Sequence, residues 1–443
     1  MPDDNPARSH LDPPASSTIR PNGGNSATTT LIAAVAAFSV YFCMYAFRKP
    51  FTAGTYEGQE LYGLGLKSLL VLSQLCGYML SKFIGVKVVS EMPRSRRAAA
   101  MVGLMLWAEL ALVGFAFLPM PGKVLMMFLN GLPLGMIFGL VLAYLEGRRH
   151  TEALAAGLCA SFIVSSGVVK SVGRWLVVNK GYSEFEMPYI TGLMFLGPML
   201  FFVWLLQRTP DPSDVDRQLR SERTIMSRTQ RKEFFAAYLP GLCALLFVYI
   251  VLTVIRTMRD DFGVEIWRAL GVTEKPEIFA QSETVVAIVA TVLNAFAICI
   301  VGNLSALTAA TMLMSGGFLI VVAAALGQWF GLLAPFPFMV ACGVGLYIPY
   351  VAFHTTIFER IIAASKRMGN LGFLMYLADS IGYLGYSAVM VWKTASPDHS
   401  GIFPFFRLMM LLTSLVCVGV LLYALAFFRR VLTAERAEET VVS

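Results

Sequence analysis

The chain has 443 residues, of which 57% are hydrophobic and 14% are charged. Soluble globular proteins are close to half apolar and a quarter charged, so this composition excludes an ordinary set of soluble domains. The 35 Lys and Arg against 28 Asp and Glu give a formal net charge of +7. A membrane protein collects such an excess in its cytoplasmic loops, so the charge needs no nucleic-acid partner.

Twelve long apolar runs follow a polar N-terminal segment. Residues 1–29 are rich in Pro, Ser, Thr and Asn, which predicts a disordered tail. The runs cover residues 30–49, 64–88, 98–118, 123–146, 153–177, 188–207, 236–256, 280–302, 304–327, 332–358, 368–392 and 403–428. Each approaches or exceeds the roughly 20 residues that cross a bilayer as a helix, the only form in which a single run satisfies its own backbone. The sequence therefore predicts an all-α membrane protein with twelve transmembrane helices.

The one long polar connection, residues 208–235, divides six runs from six. We interpret 30–207 and 236–430 as two six-helix bundles, 208–235 as a cytoplasmic linker and 431–443 as a cytoplasmic tail. With the N-terminus inside, 22 of the 35 basic residues fall in inner segments. This bias predicts a multi-pass protein of the cytoplasmic (inner) membrane with both termini cytoplasmic.

The two halves show an internal repeat at a shift of 208 residues. Tyr41 then coincides with Tyr249 and Arg48 with Arg256, so the first helix of each half ends in an arginine. Parallel six-helix repeats are typical of the major facilitator fold, which binds substrate near the midplane between its halves. Two arginines facing one central cavity suit phosphate or carboxylate. The alternative is that each arginine extends to the membrane interface from the end of a short span.

Other ionisable residues also fall inside the predicted spans. Glu109, Lys170 and Asp379 are expensive in lipid, so we expect each to face protein or a water-filled cavity. Lys170 and Asp379 occupy equivalent helices of the two halves, which suggests a pair that forms in one state of a transport cycle. The alternative for each is a structural ion pair or a side chain that reaches the interface.

Motifs of enzymes and pumps are not found in the sequence. No G-x-x-x-x-G-K-[ST] run is present, and no His/Cys metal cluster. We therefore expect neither an enzyme nor a bound cofactor or metal.

Four motifs resemble organophosphate:phosphate antiporters, a branch of the major facilitator superfamily. They are Tyr45-Ala-Phe-Arg48-Lys49-Pro-Phe51, Gly77-Tyr78 with Ser81-Lys82-Phe83, Gly345-Leu-Tyr347-Ile-Pro349 with His354 and Glu359, and Gly382-Tyr383-Leu384-Gly385 with Ser387. The resemblance implies that Arg48 and Arg256 bind phosphate in the central cavity. It also places Lys82 and His354 on the substrate pathway.

The sequence departs from this family at two places. Ser90-Glu91-Met92-Pro93-Arg94 replaces Ser-Asp-Arg after the second helix, and Phe162-Ile163-Val164-Ser165-Ser166 replaces a His-Asn region in the fifth. The substrate itself is therefore not carried over. The chain resembles a side branch of the family.

The sequence favours a secondary transporter of a small anionic solute that works by alternating access. Its partners are then the anion and the lipid bilayer, and we expect a monomer. Tyr41 and Tyr249, one to two turns deeper than the arginines, complete the predicted substrate site. Two alternatives stay open: a membrane sensor related to such transporters, and a proton-coupled carrier of a neutral or cationic solute. In the second, Asp379 and Glu109 are the coupling residues and the two arginines are structural.

Overall fold

The computed structural model describes residues 23–145, 151–209, 228–273, 275–365, 371–395 and 401–442. Within these residues, long helices account for nearly all of the structure. The helices of the first half are α1 (Gly23–Arg48), α2 (Leu66–Glu91), α3 (Arg94–Phe117), α4 (Met120–Leu145), α5 (Thr151–Lys180) and α6 (Met187–Gln207). A 3₁₀ turn (Pro50–Ala53) and a small antiparallel hairpin, β1 (Glu60–Leu61) and β2 (Leu64–Gly65), connect α1 to α2.

The second half contains six further long helical segments and one short helix. They are α7 (Arg228–Asp261), the short α8 (Gly263–Ala269), α9 (Ile278–Ile298), α10 (Asn303–Trp329), α11 (Pro335–Ala352), which continues through a π-helical turn (Phe353–Ile357) into α12 (Phe358–Ala364), α13 (Leu371–Ala395) and α14 (Ile402–Val442). We call the side where α1 begins and α14 ends the termini side, and the opposite side the far side.

Each of the twelve apolar runs lies on a helix, which confirms the predicted all-α membrane fold. Among the described residues, eleven helices are long and apolar enough to cross a membrane. The described part of the remaining run, from Leu371, lies on α13, whose interior includes Asp379.

Several helices extend beyond the predicted apolar runs. Helix α7 continues past Arg256, the predicted end of its run, to Asp261. The first helix starts at Gly23, inside the predicted tail 1–29, and α7 starts at Arg228, inside the predicted linker 208–235. The last helix runs to Val442, through most of the predicted tail 431–443. Polar residues do not end a helix that continues from an apolar span, so hydropathy marks the membrane crossing and not the helix end. Residues 1–22 and 210–227 lie outside the described part of the chain.

Large apolar side chains cover the outer surface of the bundle. Leu110 is 70% exposed, Phe296 69% and Leu384 59%. Soluble monomers rarely expose apolar surface over a wide area, whereas a bilayer covers it. These faces are the lipid-facing surface of a multi-pass membrane protein.

Close backbone contacts join neighbouring helices within each half. A Cβ on Gly131 of α4 would lie 2.2 Å from the Gln74 carbonyl oxygen of α2, and one on Gly345 of α11 would lie 2.5 Å from the Gly317 carbonyl oxygen of α10. Only glycine permits this approach, which is how membrane helices gain packing contact without a hydrophobic driving force.

The two halves meet along two pairs of helices. Where α5 contacts α9, the Ser171 hydroxyl oxygen accepts a hydrogen bond of 2.9 Å from the Ala280 backbone N–H. Where α2 contacts α13, the rings of Tyr78 and Tyr383 pack edge to face at 5.7 Å. The space between these two contacts is the centre of the molecule.

The predicted topology can be tested with two introduced cysteines in a background that lacks the native ones. Asp216→Cys lies in the predicted cytoplasmic linker, and Tyr62→Cys lies in the far-side hairpin, where the tyrosine is 85% exposed. In intact cells an impermeant thiol reagent should label position 62 and spare position 216, while a permeant reagent labels both. The reverse pattern would contradict a cytoplasmic N-terminus.

Candidate functional site

The position of Arg48 follows from the way α1 ends. Pro50 has no backbone N–H, so the helix stops before it and its last carbonyl groups lose their usual partners. The side-chain amide of Asn130 donates to the Phe47 carbonyl oxygen at 3.0 Å, and that of Gln74 donates to the Arg48 carbonyl oxygen at 2.9 Å. The two amides also bond each other at 2.7 Å. These side-chain amides therefore fix the last turn of α1.

Arg48 and Arg256 are both buried, with 8% and 7% of the residue exposed. Side chains on a helix point back toward its N-terminus, so an arginine near the C-terminal end is directed into the bundle. The Arg48 guanidinium carbon lies 4.0 Å from the ring centre of Tyr78, and that of Arg256 lies 4.3 Å from the ring centre of Tyr350. These are cation–π contacts, and neither side chain extends to the interface in this structure.

Neither guanidinium has an acidic partner in the described part of the chain. Among the described residues no carboxylate lies within ion-pair distance of Arg48 or Arg256. Arg259, one turn beyond Arg256, differs: it forms an ion pair of 2.8 Å with Glu283 and donates to the Met339 carbonyl oxygen at 2.9 Å. Buried charges normally have an acidic or hydrogen-bonding partner, as Arg259 does.

The two arginines line one small cavity between the halves. Its walls are Tyr45, Arg48, Lys49, Phe162, Ser166, Arg256, Thr257, Asp260, Tyr347 and Tyr383. Its free volume of about 20 Å³ has room for about one water molecule, so the structure represents a closed conformation.

Ion pairs close the cavity on the far side. Lys49 Nζ lies 2.5 Å from a carboxylate oxygen of Asp260 and 2.5 Å from one of Asp261. Lys170 also pairs with Asp260, and the Ser166 hydroxyl donates to the same carboxylate at 2.6 Å. Helices α1 and α5 of the first half are thereby joined to the end of α7. We call these five residues the far-side cluster.

A second group lies on the termini side of the cavity. Lys82 Nζ is 2.6 Å from Asp379 Oδ2, and the Tyr249 hydroxyl donates to Asp379 Oδ1. His354 Nδ1 donates to the Tyr350 carbonyl oxygen at 2.8 Å, and its Nε2 lies 4.0 Å from Asp379 Oδ1. Lys82 belongs to the first half and the others to the second, so this termini-side cluster also joins the halves.

The suggested pair between Lys170 and Asp379 is not formed in this structure. Lys170 is 19 residues beyond the start of α5 at Thr151, while Asp379 is 8 residues beyond the start of α13 at Leu371. At about 1.5 Å per residue the two differ in depth by roughly 16 Å. Equivalent helices do not place their charges at equivalent depths, and each residue pairs with a group at its own level.

Three other predicted residues lie away from the cavity wall. Tyr41 packs edge-on against Tyr45 at 5.6 Å, and Tyr249 bonds Asp379 as described above. Glu109 is 5% exposed and faces Gly192 of α6, and its carboxylate oxygens have no hydrogen-bond partner among the described residues. It lies within the first half, so the structure does not bring it together with Asp379.

The aromatic residues Tyr45, Phe162, Tyr347 and Tyr383 occur in the quoted sequence segments, but their common role as one wall of the cavity was not predicted. Tyr41, Tyr45 and Arg48 share one helix face by spacings of four and three, as do Tyr347, Tyr350 and His354. This periodicity was the available signal. The π-helical turn that carries His354 widens the helix four residues after Pro349, and such turns often occur at functional sites.

Residues 50–431 match the model of a family of unknown function, DUF5690. The chain belongs to this family. No curated protein matches the chain in sequence.

Two solved structures are similar to the chain as a whole. A D-xylose-proton symporter is 15% identical with a TM-score of 0.59, over 88% of this chain and 97% of its own. The xylose transporter XylE from E. coli, in a partially occluded inward-open conformation, is 15% identical with a TM-score of 0.56, over 89% of this chain and 96% of its own. Both are transporters rather than enzymes. The chain therefore has the major facilitator fold.

A pair of double-mutant cycles would test the termini-side pairing. Removing one partner of a buried ion pair leaves the other charge unpaired, so Asp379→Asn and Lys82→Met should each lower the free energy of unfolding. The double variant should lower it by less than the sum of the two single losses. We expect a coupling energy of roughly 0.5–3 kcal/mol for Lys82 with Asp379, measured by equilibrium unfolding in mixed micelles. Lys170→Met with Asp379→Asn is the matched control and should be additive within about 0.5 kcal/mol. If Lys170 and Asp379 are coupled while Lys82 and Asp379 are additive, the pair of Lys170 with Asp379 suggested by the sequence is correct and the pair seen in the structure is not.

Proposed function

We propose that this protein is a secondary active transporter of a small anionic solute, phosphate or a phosphorylated organic compound. Arg48 and Arg256 are its anion ligands. The main support is that two buried guanidinium groups, one from each half, line the same cavity and neither forms an ion pair with a carboxylate among the described residues. An uncompensated buried charge is expensive, and an anion that enters the cavity supplies the missing partner.

The charges around the cavity favour a divalent anion. Lys82 and Asp379 balance each other, and in the far-side cluster two lysines balance two aspartates. Arg48 and Arg256 then leave a local charge of about +2. A phosphate monoester carries about −1.5 to −2 at pH 7, and its oxygens match the planar donor fork of arginine.

The two clusters fit alternating access. Each joins one half to the other, the far-side cluster on one side of the cavity and the termini-side cluster on the opposite side. Rocking the halves about the cavity opens one side by separating its pairs while the other side stays joined. The resemblance of the Arg48 and Lys82 motifs to organophosphate:phosphate antiporters supports the same class of substrate.

A proton-coupled carrier of a neutral solute is the second candidate. Asp379 lies between the halves with His354 at 4.0 Å, an arrangement that suits proton uptake. One of the similar structures is a D-xylose-proton symporter. In this candidate the arginines are structural, and solute binding does not depend on a negative charge.

Arginine-to-lysine variants distinguish the two candidates. Lysine keeps the charge but loses the bidentate geometry, and a charge-assisted bond is worth about 1.5–3 kcal/mol. Arg48→Lys and Arg256→Lys should each weaken phosphate or phosphate-ester binding by about ten- to a hundredfold. Binding to purified protein, measured by calorimetry, is the readout.

Arg259→Lys is the matched control, because this arginine is equally buried but is paired with Glu283 and lies off the cavity wall. It should change stability and leave anion affinity within about threefold. Unchanged anion affinity in both cavity variants, or uptake of xylose without uptake of phosphate esters by proteoliposomes, would favour the proton-coupled candidate.

A further inference from the structure

The cavity has an aromatic wall beside its two arginines. Four of its lining residues carry rings, namely Tyr45, Phe162, Tyr347 and Tyr383, and Tyr350 packs behind them against Phe162. Inorganic phosphate needs no apolar surface at all. The wall therefore points to a second part of the ligand.

Phe162 occupies the middle of this wall. Its ring stacks with that of Tyr45 at 6.4 Å and contacts that of Tyr350 edge-on at 5.3 Å. Tyr45 lies 5.8 Å from the Arg48 guanidinium, and Tyr350 lies 4.3 Å from that of Arg256. The ring of Phe162 thus bridges the aromatic neighbours of the two arginines.

The helix register keeps Phe162 directed at the cavity. It lies one turn before Ser166 on α5, and Ser166 is held to Asp260 by a 2.6 Å hydrogen bond. Only 7% of Phe162 is exposed, so the ring faces neither lipid nor bulk water. In the closed cavity its contacts are with other rings, and these are the contacts that the face of a ligand replaces when the cavity widens.

We infer that the substrate is an organic phosphate whose carbon portion presents a ring or another apolar face, and that Phe162 determines this preference. The inference rests on the proposed function. The two guanidinium groups hold the phosphate oxygens, and Phe162 with the neighbouring tyrosines packs against the carbon portion. Burying one aromatic ring is worth about 1.5–3 kcal/mol, which is roughly ten- to a hundredfold in affinity.

Three simple ligands separate the contributions of the anion and the ring: inorganic phosphate, methyl phosphate and phenyl phosphate. Wild-type protein should bind phenyl phosphate at least tenfold more tightly than methyl phosphate. In Phe162→Ala this preference should fall to about threefold or less, with inorganic phosphate affinity within threefold of wild type. Phe162→Leu keeps the core filled and should lose part of the preference, which covers the case in which the alanine variant does not fold.

Phe318→Leu is the matched control, because this phenylalanine is fully buried in α10 and is not part of the cavity wall. It should leave the preference unchanged. If Phe162 has only a packing role, its variants will lower the melting temperature while the ratio of phenyl to methyl phosphate affinity stays as in wild type, and the inference is then wrong.

The outcomes also separate the inference from the proposed function. Equal affinity of the wild type for phenyl and methyl phosphate would overturn the inference and leave the anion site in place. Failure of all three phosphates to bind would overturn the proposed function itself.

Discussion

The rest of the site depends on two buried positive charges, Arg48 and Arg256, that have no acidic partner within the residues that the structure describes. A guanidinium does not release its proton, so Arg48 and Arg256 cannot lower the cost of burial by becoming neutral. Tyr78 and Tyr350 offset part of that cost by presenting the negative face of a ring at 4.0 Å and 4.3 Å. The amide network of Gln74 and Asn130 then holds the helix end from which Arg48 projects.

Around these two arginines the other charges are balanced. Lys49 and Lys170 face Asp260 and Asp261, and Lys82 faces Asp379. Every one of these pairs joins the first half to the second. In the proposed transport cycle the far-side cluster can separate while the termini-side cluster stays paired, because the two clusters lie at different depths. Charge balance and the closure of the cavity therefore depend on the same residues.

The fold was predictable because hydropathy over twenty residues is a strong signal. The repeat related Arg48 to Arg256, although only Arg48 ends its helix and α7 continues past Arg256 to Asp261. The ion-pair partners of Lys170 and Asp379 were not predictable in this way, because a repeat relates whole helices and does not give the depth of a single charge along its helix. Counting turns along α5 and α13 would have separated Lys170 from Asp379. The aromatic wall was not predictable for another reason. In an apolar span the residue type of Phe162 or Tyr350 does not show whether the side chain faces lipid, core or cavity. Only its helical spacing relative to an arginine distinguishes these positions.

One short segment connects the proposed anion site to the termini-side cluster. The ring of Tyr350 lies under the Arg256 guanidinium. It also contacts the ring of His354, a residue of the π-helical turn, in a tilted arrangement with 4.2 Å between the ring centres. His354 in turn faces Asp379 and bonds the Tyr350 backbone. A ligand that draws Arg256 away from Tyr350 removes a contact from the same ring that positions His354 beside the ion pair between the halves. The wider π-helical turn has weaker backbone constraints than the α-helix on either side, so this is the place where helix α11 accommodates such a shift most easily.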